Sequence, residues 1–192
     1  MTETTDKSGP LPEAVHQFVL QWGNLGDRWG VNRSVSQIHA LLYASERPLT
    51  ADDIAEALGM ARSNVSNSIR ELLAWEIIRS IAVLGDRRAF YAAETDLWTM
   101  VLRIAAGRKA RELDPAAAAL RQCVAAAEKD TRVTPAVAKR LEDMLAFVEQ
   151  SGRWYDQMLA LPRAQITALI KLGSGIARFL PKTAARKRAV GA

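Results

Sequence analysis

The sequence predicts a mainly α-helical fold with one small β-hairpin, and three observations support this. Apolar residues recur at the three- and four-residue spacing of amphipathic helices along most of the chain. The pattern changes to that of two short strands in IIRSIAVLGDRRAFYAA, where β-branched and aromatic residues flank Gly85 and Asp86. The helical pattern then returns and passes Asp-Pro, Thr-Pro and Leu-Pro steps, where proline suits the first turn of a helix.

The composition narrows the possible functions. The chain has 192 residues, of which 49% are hydrophobic and 24% charged, as in ordinary globular proteins. With one cysteine, Cys123, and two histidines, it has no internal disulfide and no structural zinc cluster, so neither metal nor cofactor is predicted. No signal peptide and no apolar run of about 18 residues is present, so we expect a cytoplasmic protein without membrane partners. The net charge of +5 favours a polyanionic partner.

Four helices are predicted ahead of the hairpin. Residues 1–12 are expected to be a disordered lead-in. Thr50 is a suitable N-cap for the third helix, and Gly59 is a natural C-terminal stop. In chain order the helices run from Glu13 to a stop at Gly23 and Gly26, over residues 34–45, from Thr50 to Leu58, and from Arg62 to Trp75.

The fourth helix has an unusual polar face. Its apolar stripe of Val65, Ile69, Leu72 and Leu73 points inward, so its serines and asparagines, Ser68 included, are expected to face outward. Serine and asparagine are mediocre helix formers, but short polar side chains reach base edges in the DNA major groove. Such a face is also common on helices that are merely solvated. The alanine at the N-cap, residue 61, leaves backbone N–H groups that a phosphate is able to satisfy.

The order of elements is that of a winged helix-turn-helix. The helices are followed by a hairpin whose tip, from Gly85 to Arg88, carries two arginines. A polar helix face and an arginine-bearing wing at the spacing of one fold support each other as a DNA-binding surface. The predicted DNA contacts are Arg62, Ser63, Asn64, Ser66, Asn67, Arg70, Arg87 and Arg88.

The chain resembles MarR-type transcriptional regulators, and within them the GbsR-like branch. The resemblance lies in WGNLGDRWGVNRSVSQIHALLYASERPLT, in ADDIAEALGMARSNVSNSIRELLAWEIIR and in the wing GDRRAFY, and it covers residues 17–93 well. It implies a dimeric DNA-binding regulator with its recognition helix at residues 62–70 and its wing at residues 85–88. Ala61 departs from the Ser or Thr expected at that cap.

The C-terminal half is predicted to form further helices and a homodimer. More helix follows the wing than a winged helix needs for its own core, and its apolar stripes need a partner surface. The predicted helices lie near residues 96–113, 115–130, 135–160 and 163–179, and the stripes contain Leu141, Leu145 and Val148, and Ile166, Leu169 and Ile170. The predicted domains are a DNA-binding domain at residues 13–95, a dimerisation and effector region at 96–180, and a basic tail at 181–192.

Together these expectations indicate a regulator of transcription rather than an enzyme. A two-fold dimer presents its recognition helices about 34 Å apart to a pseudo-palindromic operator in double-stranded DNA. We expect a repressor that an unknown small molecule relieves. The alternative is a winged-helix adaptor that binds protein and not DNA. An enzyme has little support, because no phosphate loop, metal constellation or nucleophile with a placed base is found.

Several other residues are weaker candidates. An aromatic cage for a cationic effector is less expected than ordinary core or interface roles for the tryptophans and tyrosines. We expect His39 to form a helix–helix hydrogen bond. The tail cations are expected to be solvated more than bound to phosphate. The residues concerned are Trp22, Trp29, Tyr43, Trp75, Trp98, Trp154 and Tyr155 for the cage, and Lys182, Arg186, Lys187 and Arg188 for the tail.

Overall fold

The computed structural model describes residues 11–173 and residue 175. Most of the predicted lead-in and the whole predicted tail at residues 181–192 lie outside this part of the chain. The chain divides into two compact units, Met1–Leu113 and Asp114–Ala192. The proposed domain boundary between residues 95 and 96 stays a prediction.

The first unit is a helical core with a small sheet on it, and it confirms the predicted fold class. The three strands are antiparallel in the order β1-β3-β2. The first of them is two residues long, too short for its pattern to be recognised in the sequence. The elements are α1 (Glu13–Arg28), α2 (Arg33–Ala44), β1 (Leu49–Thr50), α3 (Ala51–Leu58), α4 (Arg62–Ala74), β2 (Ile78–Ile81), β3 (Phe90–Ala93), α5 (Leu97–Arg108) and a π-helical segment (Lys109–Leu113).

The first helix does not stop at its glycines, so that prediction is wrong. The helix continues to Arg28, and Gly23 and Gly26 are both buried within it. A Cβ atom on Gly23 would lie 2.6 Å from Gln37 Cγ, and one on Gly26 would lie 1.9 Å from Ser36 Oγ. The glycines therefore allow α1 and α2 to approach each other closely, and they do not terminate the helix.

The junction between α3 and α4 confirms the predicted signals. The Thr50 side chain and backbone form a reciprocal capping box with Asp53 at the start of α3. Gly59 follows with a φ of 61°, a left-handed conformation that glycine adopts without strain. Ile54 and Val65 are completely buried, and they hold the two helices against the core.

The wing loop is longer than the tight turn that the sequence predicts. β2 ends at Ile81 and β3 begins at Phe90, so residues 82–89 form the connection. A turn closes where the Asp86 N–H donates to the Val83 carbonyl, at 3.1 Å. The Asp86 side chain then accepts the Arg88 N–H, at 2.9 Å, so this group is not available to a strand ladder.

The second unit is a set of helices with little core of its own. It contains α6 (Asp114–Ala127), α7 (Pro135–Leu159) and α8 (Arg163–Leu172), and α6 packs against α7. Pro135 occupies the first position of α7 as predicted, whereas Pro162 is the N-cap of α8 and not its first residue. Among its described residues only Ala117 is buried. No helix in the described part of the chain is long and apolar enough to cross a membrane.

His39, on α2, lies in the core of the first unit. Its side chain is buried, and Nε2 has no hydrogen-bond partner among the described residues, so the predicted helix–helix hydrogen bond is not made by this atom. Burial disfavours the charged imidazolium and lowers the pKa of His39 from 6.5 to about 4.

Gly26→Ala tests the close packing of α1 on α2. Alanine favours a helix by about 1 kcal/mol over glycine. We nevertheless expect a net loss of about 1–3 kcal/mol in the free energy of unfolding, because the new methyl group overlaps Ser36. Urea unfolding measures this loss in the free energy of unfolding. Asn24→Ala, at an exposed position of the same helix, is the control and should change stability by less than about 0.5 kcal/mol. Equal stability of both variants would contradict the packing.

The buried imidazole makes stability depend on pH. Below pH 6.5 His39 is protonated in the unfolded chain, whereas in the folded chain it stays neutral down to about pH 4. Stability is therefore complete above this range and falls by about 2 kcal/mol between pH 7 and pH 5. Urea unfolding at both pH values measures this fall.

His39→Gln removes the histidine contribution, whereas His16→Ala, at the exposed histidine of α1, retains it. Carboxylates titrate alike in all three proteins and cancel in the comparison. A glutamine variant with the wild-type pH profile would contradict the assignment.

Candidate nucleic-acid interface

Helix α4 has one buried face and one exposed polar face. Val65, Ile69 and Leu72 are buried in the core. The predicted outward position of Ser68 is wrong, since it is 3% exposed and its hydroxyl donates to Asn64 Oδ1 at 3.5 Å. All six predicted contact residues of the helix are exposed, namely Arg62, Ser63, Asn64, Ser66, Asn67 and Arg70.

The N-terminus of α4 has no side-chain cap. Ala61 supplies no side-chain acceptor, and the first turn contains no acidic residue. The first intrahelical hydrogen bond comes from the Val65 N–H to the Ala61 carbonyl, at 3.1 Å, so the three preceding N–H groups have no helical partner. Helix α3 differs, with a capping box and two aspartates in its first turn. The start of α4 is therefore the better of the two for an anion.

Short polar contacts hold the side chains of this face in place. Sequence reasoning did not find two of the partners, Asp52 and Ser34. Asp52 belongs to the preceding helix α3 and Ser34 is 30 residues from Asn64, so the pattern within α4 indicates neither of them. The contacts are Arg62 Nε to Asp52 Oδ1 at 3.0 Å, Asn64 Nδ2 to Ser34 Oγ at 2.9 Å, and Arg70 Nη1 to Asn67 Oδ1 at 3.3 Å.

The two wing arginines have different surroundings. The Arg88 guanidinium donates to both oxygens of Asp86, at 3.1 Å from Nε and 2.6 Å from Nη2, and it lies 5.5 Å from the ring centre of Phe90. This hydrogen bond lowers the pKa of Asp86 to about 2. Arg87 is exposed and forms no hydrogen bond or ion pair within the described residues. It is therefore the wing arginine that is available to a ligand.

The pairing of Arg88 is a local property of its sequence. Arg132 binds Asp130, two residues before it, in the same way, with 2.9 Å from Nε and 2.7 Å from Nη2. That second pair lies between α6 and α7, in the second unit. An Asp-x-Arg segment thus forms this fork by itself, and the fork alone is no evidence of function.

The carboxylates at the start of α3 act on the wing as well as on α4. The pKa of Arg88 is raised first by its hydrogen bond with Asp86, and further by the negative charges of Asp53 and Asp52. Asp52 is also the ion-pair partner of Arg62. Asp52 therefore interacts electrostatically with Arg62 on α4 and with Arg88 on the wing.

The comparisons with known proteins agree with this geometry. Over 88 residues the chain is 27% identical to the putative HTH-type transcriptional regulator YvaV of Bacillus subtilis. The aligned residues are 46% of this chain and 50% of that protein. Over 70 residues it is 26% identical to the HTH-type transcriptional repressor OpcR of the same organism. Here the aligned residues are 36% of this chain and 38% of that protein. The chain thus spans half or less of the length of these curated relatives.

A solved structure described as a transcriptional regulator has the same fold, with a TM-score of 0.62 at 18% identity over 76% of this chain and 95% of that one. Residues 29–89, from the end of α1 to the wing, match the family model described as MarR family. The winged helix of this chain is therefore similar to the MarR family over residues 29–89.

Proposed function

We propose that the chain binds a specific site in double-stranded DNA as a homodimer and regulates transcription, with α4 in the major groove and the wing on the backbone. The observation that carries this proposal is the exposed polar face of α4 with its uncapped N-terminus. A helix whose apolar face is buried in the core presents short polar side chains on its other face to base edges. The MarR family match at residues 29–89 supports it.

The eight predicted contacts have different proposed roles. Exposed residues of α4 read base edges, and Arg87 neutralises a phosphate because no carboxylate holds it. Arg88 shapes the wing through Asp86, and any DNA contact it makes is secondary. Arg62 exchanges Asp52 for a phosphate or a guanine. The α4 residues are Arg62, Ser63, Asn64, Ser66, Asn67 and Arg70.

The second unit supports the homodimer. Its described residues bury almost nothing, yet α7 exposes large apolar side chains along one row. The row is spaced by seven and three residues, as one face of a helix requires. It differs from the stripe predicted at Leu141, Leu145 and Val148, which is half-buried. The exposed row contains Val137, Met144, Phe147 and Trp154.

The branch within the family, the direction of regulation and the response to an effector are proposed from the resemblance of residues 17–93. We propose a member of the GbsR-like branch that represses transcription and responds to a small-molecule effector. One of the two relatives is described as a repressor, which supports this direction of regulation.

Asn67→Ala and Arg87→Ala separate base reading from phosphate binding. Dissociation constants are measured for a duplex that the protein selects from its own genome and for a random duplex of equal length. We expect Asn67→Ala to lose about 1–3 kcal/mol on the selected duplex and almost nothing on the random one. We expect Arg87→Ala to weaken both equally and to lower the salt slope by about one.

Arg132→Ala is the matched control, because it removes an arginine from outside the winged helix. It should change neither affinity nor salt slope. Equal losses on both duplexes for Asn67→Ala would contradict the proposed reading role. Absence of salt-dependent duplex binding by the wild-type chain would favour the adaptor function instead.

Phe147→Asp tests the dimer. Phe147 is 67% exposed in the single chain, so a carboxylate there costs little in a monomer but is buried in a dimer that covers this row. We expect sedimentation velocity to show a dimer for the wild type and a monomer for the variant. Ala146→Asp, at an exposed position of α7 that is not three or four residues from any member of the row, should remain a dimer. A dimeric Phe147→Asp would exclude this face as the interface.

A further inference from the structure

Asn64, on the exposed face of α4, is held by hydrogen bonds at both ends of its amide group. Nδ2 donates to Ser34 Oγ at 2.9 Å, and Oδ1 accepts a longer hydrogen bond from the Ser68 hydroxyl at 3.5 Å. Ser34 lies in the first turn of α2, 30 residues before Asn64, and Ser68 is buried one turn further along α4. The orientation of this amide is therefore set by two helices.

The partner on α2 has a fixed position. The two residues that follow Ser34 are buried, and α2 packs against α4. Asn67 has a different kind of partner, because its Oδ1 accepts from Arg70 Nη1, at 3.3 Å, on an exposed side chain of the same helix. A side chain that is already oriented loses less conformational entropy when it binds. Asn64 is therefore the better prepared of the two asparagines to recognise one particular base.

The amide of Asn64 keeps one donor and one acceptor for a ligand. An asparagine side chain has two N–H donors and two lone pairs on its oxygen. Ser34 takes one of the donors, and Ser68 takes one of the lone pairs. Since Asn64 is exposed, the remaining N–H and the remaining lone pair are open to a partner that accepts at one point and donates at the next.

This pattern matches one of the four bases in the major groove. Adenine presents the N7 acceptor beside the N6 donor, whereas guanine presents two acceptors, cytosine a donor and thymine an acceptor. Asn64 is the third residue of α4, and the first residues of a recognition helix are those that contact base edges.

We propose that Asn64 recognises an adenine through N7 and N6, and that Ser34 is the positioning residue that orients the amide for this base. The inference rests on the proposed binding of DNA by α4 and adds to it the base that one side chain selects. It also gives a role in specificity to α2, which lies outside the helix-turn-helix.

Selection from a library of random duplexes tests the base. The sequences bound by the wild type, by Asn64→Ala and by Asn67→Ala are compared. We expect each half of the wild-type motif to contain an A·T pair whose preference over the other pairs, about tenfold, disappears in Asn64→Ala. Asn67→Ala, at another exposed position of the same helix, is the matched control and should lose preference at a different base pair.

Base analogues in the selected duplex test the two atoms. At the adenine assigned to Asn64, 7-deazaadenine removes N7 and unsubstituted purine removes the N6 amino group. Each should weaken binding by the wild type about fivefold and leave binding by Asn64→Ala unchanged, because each removes one bond of the pair. The same analogues at an adenine outside the motif should have no effect on either protein.

Ser34→Ala and Ser34→Thr test the positioning role. The alanine variant loses the hydroxyl that holds Asn64, whereas the threonine variant retains it. We expect Ser34→Ala to lower the adenine preference about threefold at the Asn64 position and to leave the Asn67 position unchanged, with Ser34→Thr like the wild type. Urea unfolding checks that both variants are folded. Equal loss of preference at every position in Ser34→Ala would overturn the positioning role.

The possible failures are distinguishable. A wild-type chain that selects no sequence overturns the proposed function, and this inference with it. A wild-type motif that Asn64→Ala retains in full, a lost preference that falls on a G·C pair, or wild-type binding that neither analogue weakens overturns the assignment of adenine to Asn64 and leaves the proposed function intact.

Discussion

The structure depends on the contact between the apolar face of α4 and the core formed by α2 and α3. Val65, Ile69 and Leu72 are buried there, and each contributes about 1.5–3 kcal/mol as an upper estimate. The serines and asparagines of α4 give the helix little intrinsic stability. Tertiary packing therefore maintains it, and the same packing decides which face stays exposed. The proposed reading surface exists because the opposite face is anchored.

Local signals made this part of the fold predictable from the sequence. The Thr50 cap and the Gly59 stop act within a few residues, so the limits of α3 and the start of α4 follow from them. The exposed contact residues follow from helical periodicity. Ser68 shows where residue type misled, because it lies three residues after Val65 and four before Leu72. That spacing places it on the buried face, although serine is usually exposed.

Features that depend on distant contacts could not be predicted in this way. Gly23 and Gly26 have the appearance of a helix stop until α2 is known to pass within contact distance. The different surroundings of Arg87 and Arg88 depend on one rotamer of Asp86, which composition does not reveal. The unsatisfied nitrogen of His39 depends on which side chains of α1 and α2 pack around it. Sequence patterns indicate faces and caps, whereas unfilled space results from packing.

The charges on the two helices of the motif differ in a way that favours the proposed orientation on DNA. Helix α3 begins with Asp52 and Asp53, which satisfy and neutralise its N-terminus, whereas α4 begins without an acidic residue or a side-chain cap. A polyanion is therefore drawn to the start of α4 and not to that of α3. Asp52 holds Arg62 in an exposed ion pair, with 78% of the arginine side chain accessible. Such pairs contribute about 0–1 kcal/mol, so an arriving phosphate replaces the carboxylate at little cost.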